Sequence, residues 1–280
     1  MKQTIRRVYI EITSRCNLNC AFCTAQNRTG TDMDPAFFRE IILQVRDITP
    51  YVYLHVQGEP LCHPRFDELM DICDECGMQV QLVTNGTLLH RWPGLIHHSS
   101  LRKISFSMQS IEYHTLDVNS FFQDILAFAE TASLQGRPVT EIRFWRDDQF
   151  DQPRTEACIS YLHEHYPLAP TSRKNSYELM KNVYVDFHNT FVWPSMDQPE
   201  LSEKGTCLGG IRQIAVLSDG TVVPCCLDAE GAMALGSLHD QSLADILKTD
   251  RYIQLCDGFR SHILKESLCR RCTYRCRFDQ

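Results

Sequence analysis

The chain has 280 residues, of which 43% are hydrophobic and 22% charged, and this excludes a disordered, collagen-like or coiled-coil chain as its main state. Its formal net charge of −7 disfavours a nucleic-acid partner, and it has no apolar run of about 18 residues that would span a membrane. Because 14 cysteines are present and the N-terminus lacks the apolar core of a signal peptide, we expect a cytoplasmic protein whose clustered cysteines bind metal.

The first two thirds of the chain alternate between strand-like and helix-like segments. Apolar and β-branched runs predict strands at 8–13, 51–56, 79–84, 103–109, 141–145 and 182–187. Helical periodicity predicts a helix that begins at Asp34-Pro35 and further helices at 64–76, 120–134 and 155–165. This order predicts an α/β fold, a partial (β/α)6 TIM-type barrel, because six units are too few for a closed eight-strand barrel; a doubly wound sheet is the alternative.

A second domain is predicted after a change in composition. The segment 193–205 is rich in proline and polar residues, as is typical of a linker, so we divide the chain into domains at 1–196 and 197–280. Beyond it, two strand-like runs flank Asp219-Gly220, which predicts a hairpin. A helix from Ser242 to about residue 252 follows. The second domain is therefore expected to be a small α+β unit of hairpin and helices.

Three cysteines directly follow the first strand, as C-N-L-N-C-A-F-C at Cys16, Cys20 and Cys23. Three thiolates can hold one soft metal centre. A four-iron cluster normally has four cysteine ligands, so three would leave one iron open. The alternative is a zinc site completed by a distant fourth ligand.

This C-x3-C-x2-C spacing, with Phe22 before its last cysteine, resembles the signature of the radical S-adenosylmethionine (radical SAM) superfamily. The resemblance implies a [4Fe-4S] cluster bound by the three cysteines, with S-adenosylmethionine (SAM) at the open iron. It further implies that SAM is cleaved reductively to a 5′-deoxyadenosyl radical, which abstracts hydrogen from a substrate. An electron donor of the flavodoxin or ferredoxin type is expected.

Further motifs at the ends of later strands resemble SAM-binding elements of that family. Q-G-E-P at 57–60 is similar to the family's G-G-E-P, and T-N-G at 84–86 to another common element. The resemblance implies SAM contacts from Phe22, Gly58, Glu59, Asn85, Ser107, Gln109 and Arg143. Ordinary turns at both motifs, and a structural ion pair at Arg143, are the alternatives.

A second group of cysteines lies in the C-terminal part. Cys207 and Cys225 are at the two ends of the predicted hairpin, and Cys269 and Cys272 form C-x2-C. These four resemble the ligands of a twitch domain, the short form of the SPASM domain, with one auxiliary [4Fe-4S] cluster, as in the group of the butirosin-pathway aminocyclitol dehydrogenase. Other options are Cys276 or Cys226 as a replacement ligand, a second cluster that uses Cys226, Cys256 and Cys276, or a zinc ribbon.

The remaining cysteines and several aromatic residues receive no chemical role from the sequence. We expect Cys62, Cys73, Cys76 and Cys158 to be structural thiols. His55, Trp145, His188 and Trp193 lie near strand ends, where substrate contacts are expected, although such residues more often only pack.

The resemblance predicts a radical SAM oxidoreductase that oxidises a small molecule by two electrons, with the auxiliary cluster as electron acceptor. The alternative within enzymes is a peptide-modifying protein that makes a thioether, an epimer or a crosslink. The alternative of another class is an iron–sulfur electron carrier or a zinc-binding module without activity.

Overall fold

A computed structural model describes residues 5–24, 30–146 and 151–278. The strands are β1 (Arg7–Ile10), β2 (Tyr51–Tyr53), β3 (Gln79–Thr84), β4 (Leu101–Ser107), β5 (Val139–Arg146), β6 (Ala169–Pro170), β7 (Ser176–Met180), β8 (Val183–Asn189), β9 (Gln213–Val216), β10 (Thr221–Val223) and β11 (Gly236–Ser237). The helices are α1 (Pro35–Arg46), α2 (Phe66–Glu75), α3 (Val118–Gln135), α4 (Pro153–His165), α5 (Leu243–Ile246), α6 (Asp250–Arg260) and α7 (Ser267–Arg271). All these strands form one sheet, in the order β11-β10-β9-β1-β2-β3-β4-β5-β8-β7-β6.

The six strands predicted for the barrel are confirmed as β1, β2, β3, β4, β5 and β8, and neighbours among them pair in parallel. β1 ends at Ile10 rather than at the predicted Thr13. The reason is the next residue, Glu11, whose buried carboxylate accepts hydrogen bonds from the backbone N–H groups of Gln57 and Ser218, each at 3.2 Å. The Glu11 side chain thus links the segments that follow β1, β2 and β9.

The two faces of this parallel sheet differ in polarity, and the difference separates a barrel from a doubly wound sheet. One face packs against helices α1 to α4 in the main hydrophobic core. The other face carries buried polar residues, among them Ser105, Glu141, Arg143 and Asp186. A doubly wound sheet is apolar on both faces. The sheet therefore curls around a polar interior, which confirms the predicted partial barrel.

The C-terminal part extends the same sheet. β9 pairs in parallel with β1, and β10 turns back through Gly220, which has a positive φ of 83° as the predicted tight turn requires. Because β9 lies beyond residue 196, the two predicted domains share one sheet.

One local prediction in the second half of the chain was wrong, and two strands there were missed. The helix predicted from Ser242 to about residue 252 is divided into α5 and α6, because Thr249 accepts a hydrogen bond from the Tyr252 N–H and starts a new helix there. The antiparallel strands β6 and β7, which pair with each other and extend the sheet beyond β8, were not predicted. Within the described ranges, no helix has both the length and the apolar character needed to cross a bilayer.

Candidate functional site

A cavity of about 990 Å³ lies inside the curled sheet, and both groups of cysteines border it. The cysteines that line it are Cys16, Cys20, Cys23, Cys207, Cys225, Cys226 and Cys272. Each of the residues predicted to contact SAM lines it as well: Phe22, Gly58, Glu59, Asn85, Ser107, Gln109 and Arg143. Residues from both ends of the sequence therefore meet around one space.

The two cysteine groups lie at opposite ends of this cavity. Cys16 follows the carboxyl end of β1, whereas Cys225 is near Gln213, the partner of Arg7 at the amino end of β1. A strand rises about 3.3 Å per residue, so the extended chain from Arg7 to Thr13 covers roughly 20 Å. A ligand between the two groups would therefore contact the middle of the barrel.

The first three cysteines lie close enough for their charges to interact. Burial, followed by repulsion from Cys16 and Cys23, raises the pKa of Cys20 to about 12. Burial also raises the pKa of Cys16 to about 11, although the Leu18 N–H donates to its sulfur at 3.4 Å. Thiol groups that repel each other when ionised need a cation between them, and soft thiolates select an iron–sulfur centre or zinc. The donor set fits the cluster that the sequence predicts.

The loop with these cysteines is held by the two motifs that follow β2 and β3. The Glu59 N–H donates to the Arg15 carbonyl at 2.7 Å. Asn17 donates to the Thr87 hydroxyl at 2.7 Å and accepts from the Asn85 side chain at 3.0 Å. Asn85, predicted to bind the cofactor, therefore also positions the cysteine loop.

Gly58 is required for this close approach. Its φ is +49°, and a Cβ at this position would overlap the Thr13 carbonyl oxygen. We expect Gly58→Ala to destabilise the protein by about 2 to 3 kcal/mol, from left-handed strain and displacement of the cysteine loop. Thermal unfolding and the bound iron of the anaerobic protein measure both effects. Gly94→Ala is the control, because a Cβ there meets open space. Equal melting temperatures and iron contents of the two variants would contradict this explanation.

Glu59 is a buried carboxyl that joins the two motifs. It accepts hydrogen bonds from the Thr84 hydroxyl at 2.6 Å, the Asn85 N–H at 2.6 Å and the Leu61 N–H at 3.0 Å. Burial nevertheless raises the pKa of Glu59 to about 7. A cationic group of a ligand would favour the ionised carboxylate, so the site fits an ammonium group such as that of SAM.

Several buried polar atoms around the cavity have no hydrogen-bond partner among the described residues. They are His55 Nδ1, Gln57 Oε1, Gln109 Oε1, Arg143 Nε and Trp193 Nε1. Buried polar groups are nearly always satisfied in folded proteins. The cavity therefore has both donors and acceptors for a polar ligand, which fits SAM together with a polar substrate.

Arg143 is a half-buried cation in the wall of the cavity. It donates to the Ser107 hydroxyl at 3.1 Å, and burial lowers its pKa. Burial and then the charge of Arg143 lower the pKa of His55 to about 3, so His55 is neutral at physiological pH. Ser105, on the same face of β4, instead donates to Glu141 at 2.8 Å and does not line the cavity. Arg143 is thus placed to receive a carboxylate.

A pair of carboxyl groups lies beside this arginine. Burial and a hydrogen bond with Glu141 raise the pKa of Asp186 to about 6. Burial opposes ionisation of Glu141, but its hydrogen bond with Asp186 and the charge of Lys103 lower its pKa to about 2. Asp186 therefore keeps its proton to a higher pH than Glu141, and near neutral pH both carboxyl groups are largely ionised.

The raised pKa of Asp186 makes the free energy of unfolding depend on pH. Because the folded-state pKa of Asp186 is above its unfolded value, its contribution is fully present below about pH 4 and is lost as the pH rises through about 6. An asparagine amide cannot ionise, so Asp186→Asn should gain about 1 to 3 kcal/mol relative to the wild type between about pH 4.5 and 7. Melting temperatures at several pH values measure this difference. Replacement of the exposed Asp240 by asparagine is the control, and parallel curves for both variants would refute the assignment.

The four cysteines of the second group also interact electrostatically. Burial, and repulsion from Cys225 and Cys272, raise the pKa of Cys207 to about 12. Cys207, Cys225 and Cys272 likewise repel an ionised Cys269, whose thiol donates to the Met233 sulfur at 3.5 Å. The Leu227 N–H donates to the Cys225 sulfur at 3.4 Å. The structure thus brings together the four predicted auxiliary ligands. Four thiols in a closed set fit a [4Fe-4S] cluster or zinc.

The other cysteines are separated from these sets to different degrees. Cys226 is hydrogen-bonded to the adjacent predicted ligand Cys225 and to Tyr9, Cys256 is buried against Tyr252, and Cys276 is exposed. Cys62 lies close to Cys16 and contacts Asn17 at 3.8 Å, nearer to the first group than its structural role predicted. Cys73 and Cys158 are buried in the main core, and Cys76 packs against it.

Aromatic side chains from three parts of the chain cover the cavity. Phe22 contacts Trp145 with ring centroids 5.1 Å apart, and Trp145 contacts Phe191 at 5.4 Å. Phe191 also contacts Trp193 at 5.3 Å and Tyr274 at 5.4 Å. These side chains form an aromatic wall of the cavity. His188 instead lines a separate cavity of about 420 Å³.

The sequence analysis did not identify Arg7, Tyr9 and Gln57 as lining the cavity. Arg7 and Tyr9 alternate along β1, and this period-two pattern would have placed both on the inner face. Gln57, the first residue of Q-G-E-P, donates through Nε2 to the Thr24 hydroxyl. The feature of the sequence that could have indicated a role for Gln57 is that it occupies the position of the family's first glycine.

Comparison with known proteins agrees with this geometry. Residues 10–144 match the model of the radical SAM superfamily, and residues 207–273 match the SPASM iron–sulfur cluster-binding domain. A tungsten-containing aldehyde ferredoxin oxidoreductase cofactor-modifying protein of Pyrococcus furiosus is 23% identical, over 89% of this chain and 82% of the relative. Several further curated relatives align over only 19% to 56% of their own length.

Solved structures with the same fold include enzymes with and without bound peptide substrates. BtrN in complex with AdoMet and 2-DOIA superposes with a TM-score of 0.61 at 17% identity, covering 98% of this chain and 94% of BtrN. Streptococcus suis SuiB bound to S-adenosylmethionine gives a TM-score of 0.61 at 18% identity, covering 97% and 71%. The two matched domains imply a [4Fe-4S] cluster with SAM and auxiliary iron–sulfur binding. The chain therefore belongs to the radical SAM superfamily and carries a SPASM iron–sulfur cluster-binding domain.

Proposed function

We propose that this radical SAM enzyme oxidises a small molecule by two electrons, for example an alcohol to a ketone, inside the cavity of the barrel. The ligands of the SAM-binding cluster would be Cys16, Cys20 and Cys23. Those of one auxiliary [4Fe-4S] cluster would be Cys207, Cys225, Cys269 and Cys272. The supporting observation is that both groups belong to one cavity, so a substrate radical formed there has a second redox centre beside it.

When bound, the first cluster and SAM supply a 5′-deoxyadenosyl radical that abstracts a hydrogen atom from the substrate. The residues of the chain hold and orient the reactants. Glu59 would accept hydrogen bonds from the SAM ammonium group, and Arg143 would donate hydrogen bonds to the SAM carboxylate. Ser107 and Gln109 would contact the ribose, and the backbone at Phe22 the adenine. The aromatic wall would exclude water from the radical.

The size of the cavity favours a small substrate. Pockets for small molecules have volumes of about 300 to 1,000 Å³. The cavity, about 990 Å³, must also contain SAM, so the space left for a substrate is much smaller. Its unpartnered donors and acceptors favour a molecule with several polar groups.

Peptide modification is the alternative, because SuiB bound to precursor peptide SuiA has a similar fold, with a TM-score of 0.59. A peptide would place one side chain in the remaining space. The reaction products distinguish the two proposals, since oxidation yields a small molecule that has two hydrogen atoms fewer than its substrate. Peptide modification yields a changed peptide.

The first experiment uses SAM and dithionite with the anaerobically reconstituted protein. We expect 5′-deoxyadenosine and methionine in equal amounts, supported by reduced flavodoxin or ferredoxin in place of dithionite. A small-molecule extract, analysed by mass spectrometry, then reveals compounds that lose two hydrogen atoms per 5′-deoxyadenosine. No 5′-deoxyadenosine under any condition would leave the iron–sulfur carrier as the explanation, and a product without loss of hydrogen would refute the oxidation.

A further inference from the structure

The charged side chains that line the cavity are mostly arginines, although the chain as a whole is acidic. Its formal net charge is −7. Within the described ranges, Arg7, Arg15, Arg143 and Arg277 line the cavity, and Glu59 is the one carboxyl group that does so. Walls of low dielectric constant focus the field of such charges on the enclosed space. The side chains of the cavity therefore favour an anionic ligand.

Two of these four arginines already have an anionic partner. Arg15 forms an ion pair with Asp32 at 3.2 Å, and Arg143 is the residue proposed above to bind the SAM carboxylate. Arg7 and Arg277 form no ion pair with a carboxylate in the part of the chain that the structure describes. The guanidinium groups of Arg7 and Arg277 are therefore the unmatched charges of the cavity.

These two unmatched charges lie together at the auxiliary end of the cavity. The Arg277 guanidinium lies 3.5 Å from the centre of the Tyr274 ring. Tyr274 is also within reach of the charge of Arg7 and of the Cys225 and Cys226 sulfur atoms. Arg7 begins β1, whereas Arg277 follows α7, so the two ends of the chain supply one cation each.

The predicted ligands of the auxiliary cluster do not use these guanidinium groups. Backbone N–H groups donate to three of the sulfur atoms: Leu227 to Cys225, Gly209 to Cys207 and Arg275 to Cys272. Arg7 is hydrogen-bonded to the Tyr9 side chain, which occupies only part of the five N–H donors of a guanidinium group. The other donors of Arg7 and Arg277 are available to the oxygen atoms of a ligand.

We propose that Arg7 and Arg277 bind an anionic group of the substrate, a carboxylate or a phosphate monoester, at the auxiliary end of the cavity. Planar guanidinium groups match the oxygen atoms of such a group with paired hydrogen bonds. A substrate anchored there extends along the barrel toward SAM, so the anchor selects which C–H bond faces the radical. The role in substrate binding rests on the function proposed above, whereas the anion site itself does not require radical chemistry.

The test is titration calorimetry of the SAM-loaded holoenzyme without reductant, so that no turnover occurs. The probes are glycerol 3-phosphate, glycerate and glycerol, which share a carbon skeleton and differ in charge. We expect at least one of the two anions to bind at least about tenfold more tightly than glycerol, and the tighter anion identifies phosphate or carboxylate. Arg7→Gln and Arg277→Gln should each weaken that binding by about tenfold or more, and Arg7→Lys should weaken it less because it keeps the charge.

The matched control is Arg46→Gln, at the exposed end of α1 and away from the cavity, which should leave the anion affinity unchanged. Equal affinities for glycerol and both anions, or unchanged anion affinities in both glutamine variants of Arg7 and Arg277, would overturn the site. Anion binding that falls only together with the bound iron would overturn it as well, because the arginines would then serve the auxiliary cluster.

The charge of the reaction product tests the role of the site in substrate binding. We expect the compound that loses two hydrogen atoms in the extract experiment to be an anion that an anion exchanger retains at neutral pH. A neutral or cationic product would refute the binding of substrate by Arg7 and Arg277. Anion binding as expected, without any 5′-deoxyadenosine, would instead contradict the proposed function and leave the anion site in place.

Discussion

Replacement of Cys16, Cys20 and Cys23 together by alanine is expected to remove about half of the bound iron, about four of about eight irons per chain. The same variant should form no 5′-deoxyadenosine. The physical reason is that these three sulfur atoms lie together at one end of the cavity, whereas the other predicted ligands lie at its opposite end. The second site therefore has no ligand in common with the first.

Iron and sulfide analysis of the anaerobically reconstituted protein, together with chromatography of the SAM products, measures both effects. The control is Cys76→Ala, at the end of the outer helix α2, since this cysteine does not line the cavity. It should retain the iron and the 5′-deoxyadenosine of the wild type. Full iron content in the triple variant would show that the first cluster is held elsewhere, with Cys62 as the nearest other thiol.

The barrel was predictable because its signals are local. Each strand is a short apolar or β-branched run, and each is followed by a segment that satisfies helical periodicity or a turn. The helix α1 shows this clearly: Pro35 occupies its first turn, and the Asp34 side chain accepts from the N–H groups of Ala36 and Phe37. Such rules need no knowledge of distant residues.

The deviations arise where a distant residue decides the local structure. β1 ends early because the Glu11 carboxylate bonds to Ser218, more than 200 positions away. β6 and β7 form because they add to the edge of β8, although the two-residue β6 has little strand character of its own. Neither the early end of β1 nor the formation of β6 and β7 can be inferred from the residues that are close to these strands in the sequence.

The same distinction applies to the site. The motifs after β1, β2 and β3 were identified by their resemblance to those of the radical SAM family, and their position at the strand ends of a parallel sheet agrees with one shared site. The choice between Cys225 and Cys226 was left open, because adjacent residues of a hairpin point to opposite sides and the register decides which side faces the other cysteines. In the structure, Val223 pairs with Ala215, which places Cys225 by Gln213, while Cys226 is hydrogen-bonded to both Cys225 and Tyr9.

The shared sheet also explains how both cysteine groups come to border one cavity. β9 adds to the free edge of β1, so the loop before β9 and the end of β10 are carried to the amino end of the barrel. Cys207 and Cys225 lie in these two segments. The cysteines after β1 stay at the other end. The spacing of the two sites is thus set by the length of β1, not by a flexible linker.

Replacement of Cys207, Cys225, Cys269 and Cys272 together by alanine should remove the other half of the iron, about four irons, and leave 5′-deoxyadenosine formation intact in the absence of substrate. The cluster would be a crosslink between the hairpin and α7, which are far apart in the sequence. Because the unfolded chain has no preformed site, the free energy of binding the cluster stabilises the folded chain, so the melting temperature of the variant should fall clearly.

The companion variant, with Cys226, Cys256 and Cys276 replaced by alanine, tests the competing ligand set. We expect it to keep all iron, because Cys276 is exposed and Cys256 is buried against Tyr252 rather than among the four sulfur atoms. Loss of about four irons from this variant, with a wild-type total near about twelve, would demonstrate a second auxiliary cluster. Retention of iron by the four-cysteine variant would mean that the set of sulfur atoms around Cys269 is not a cluster site at all.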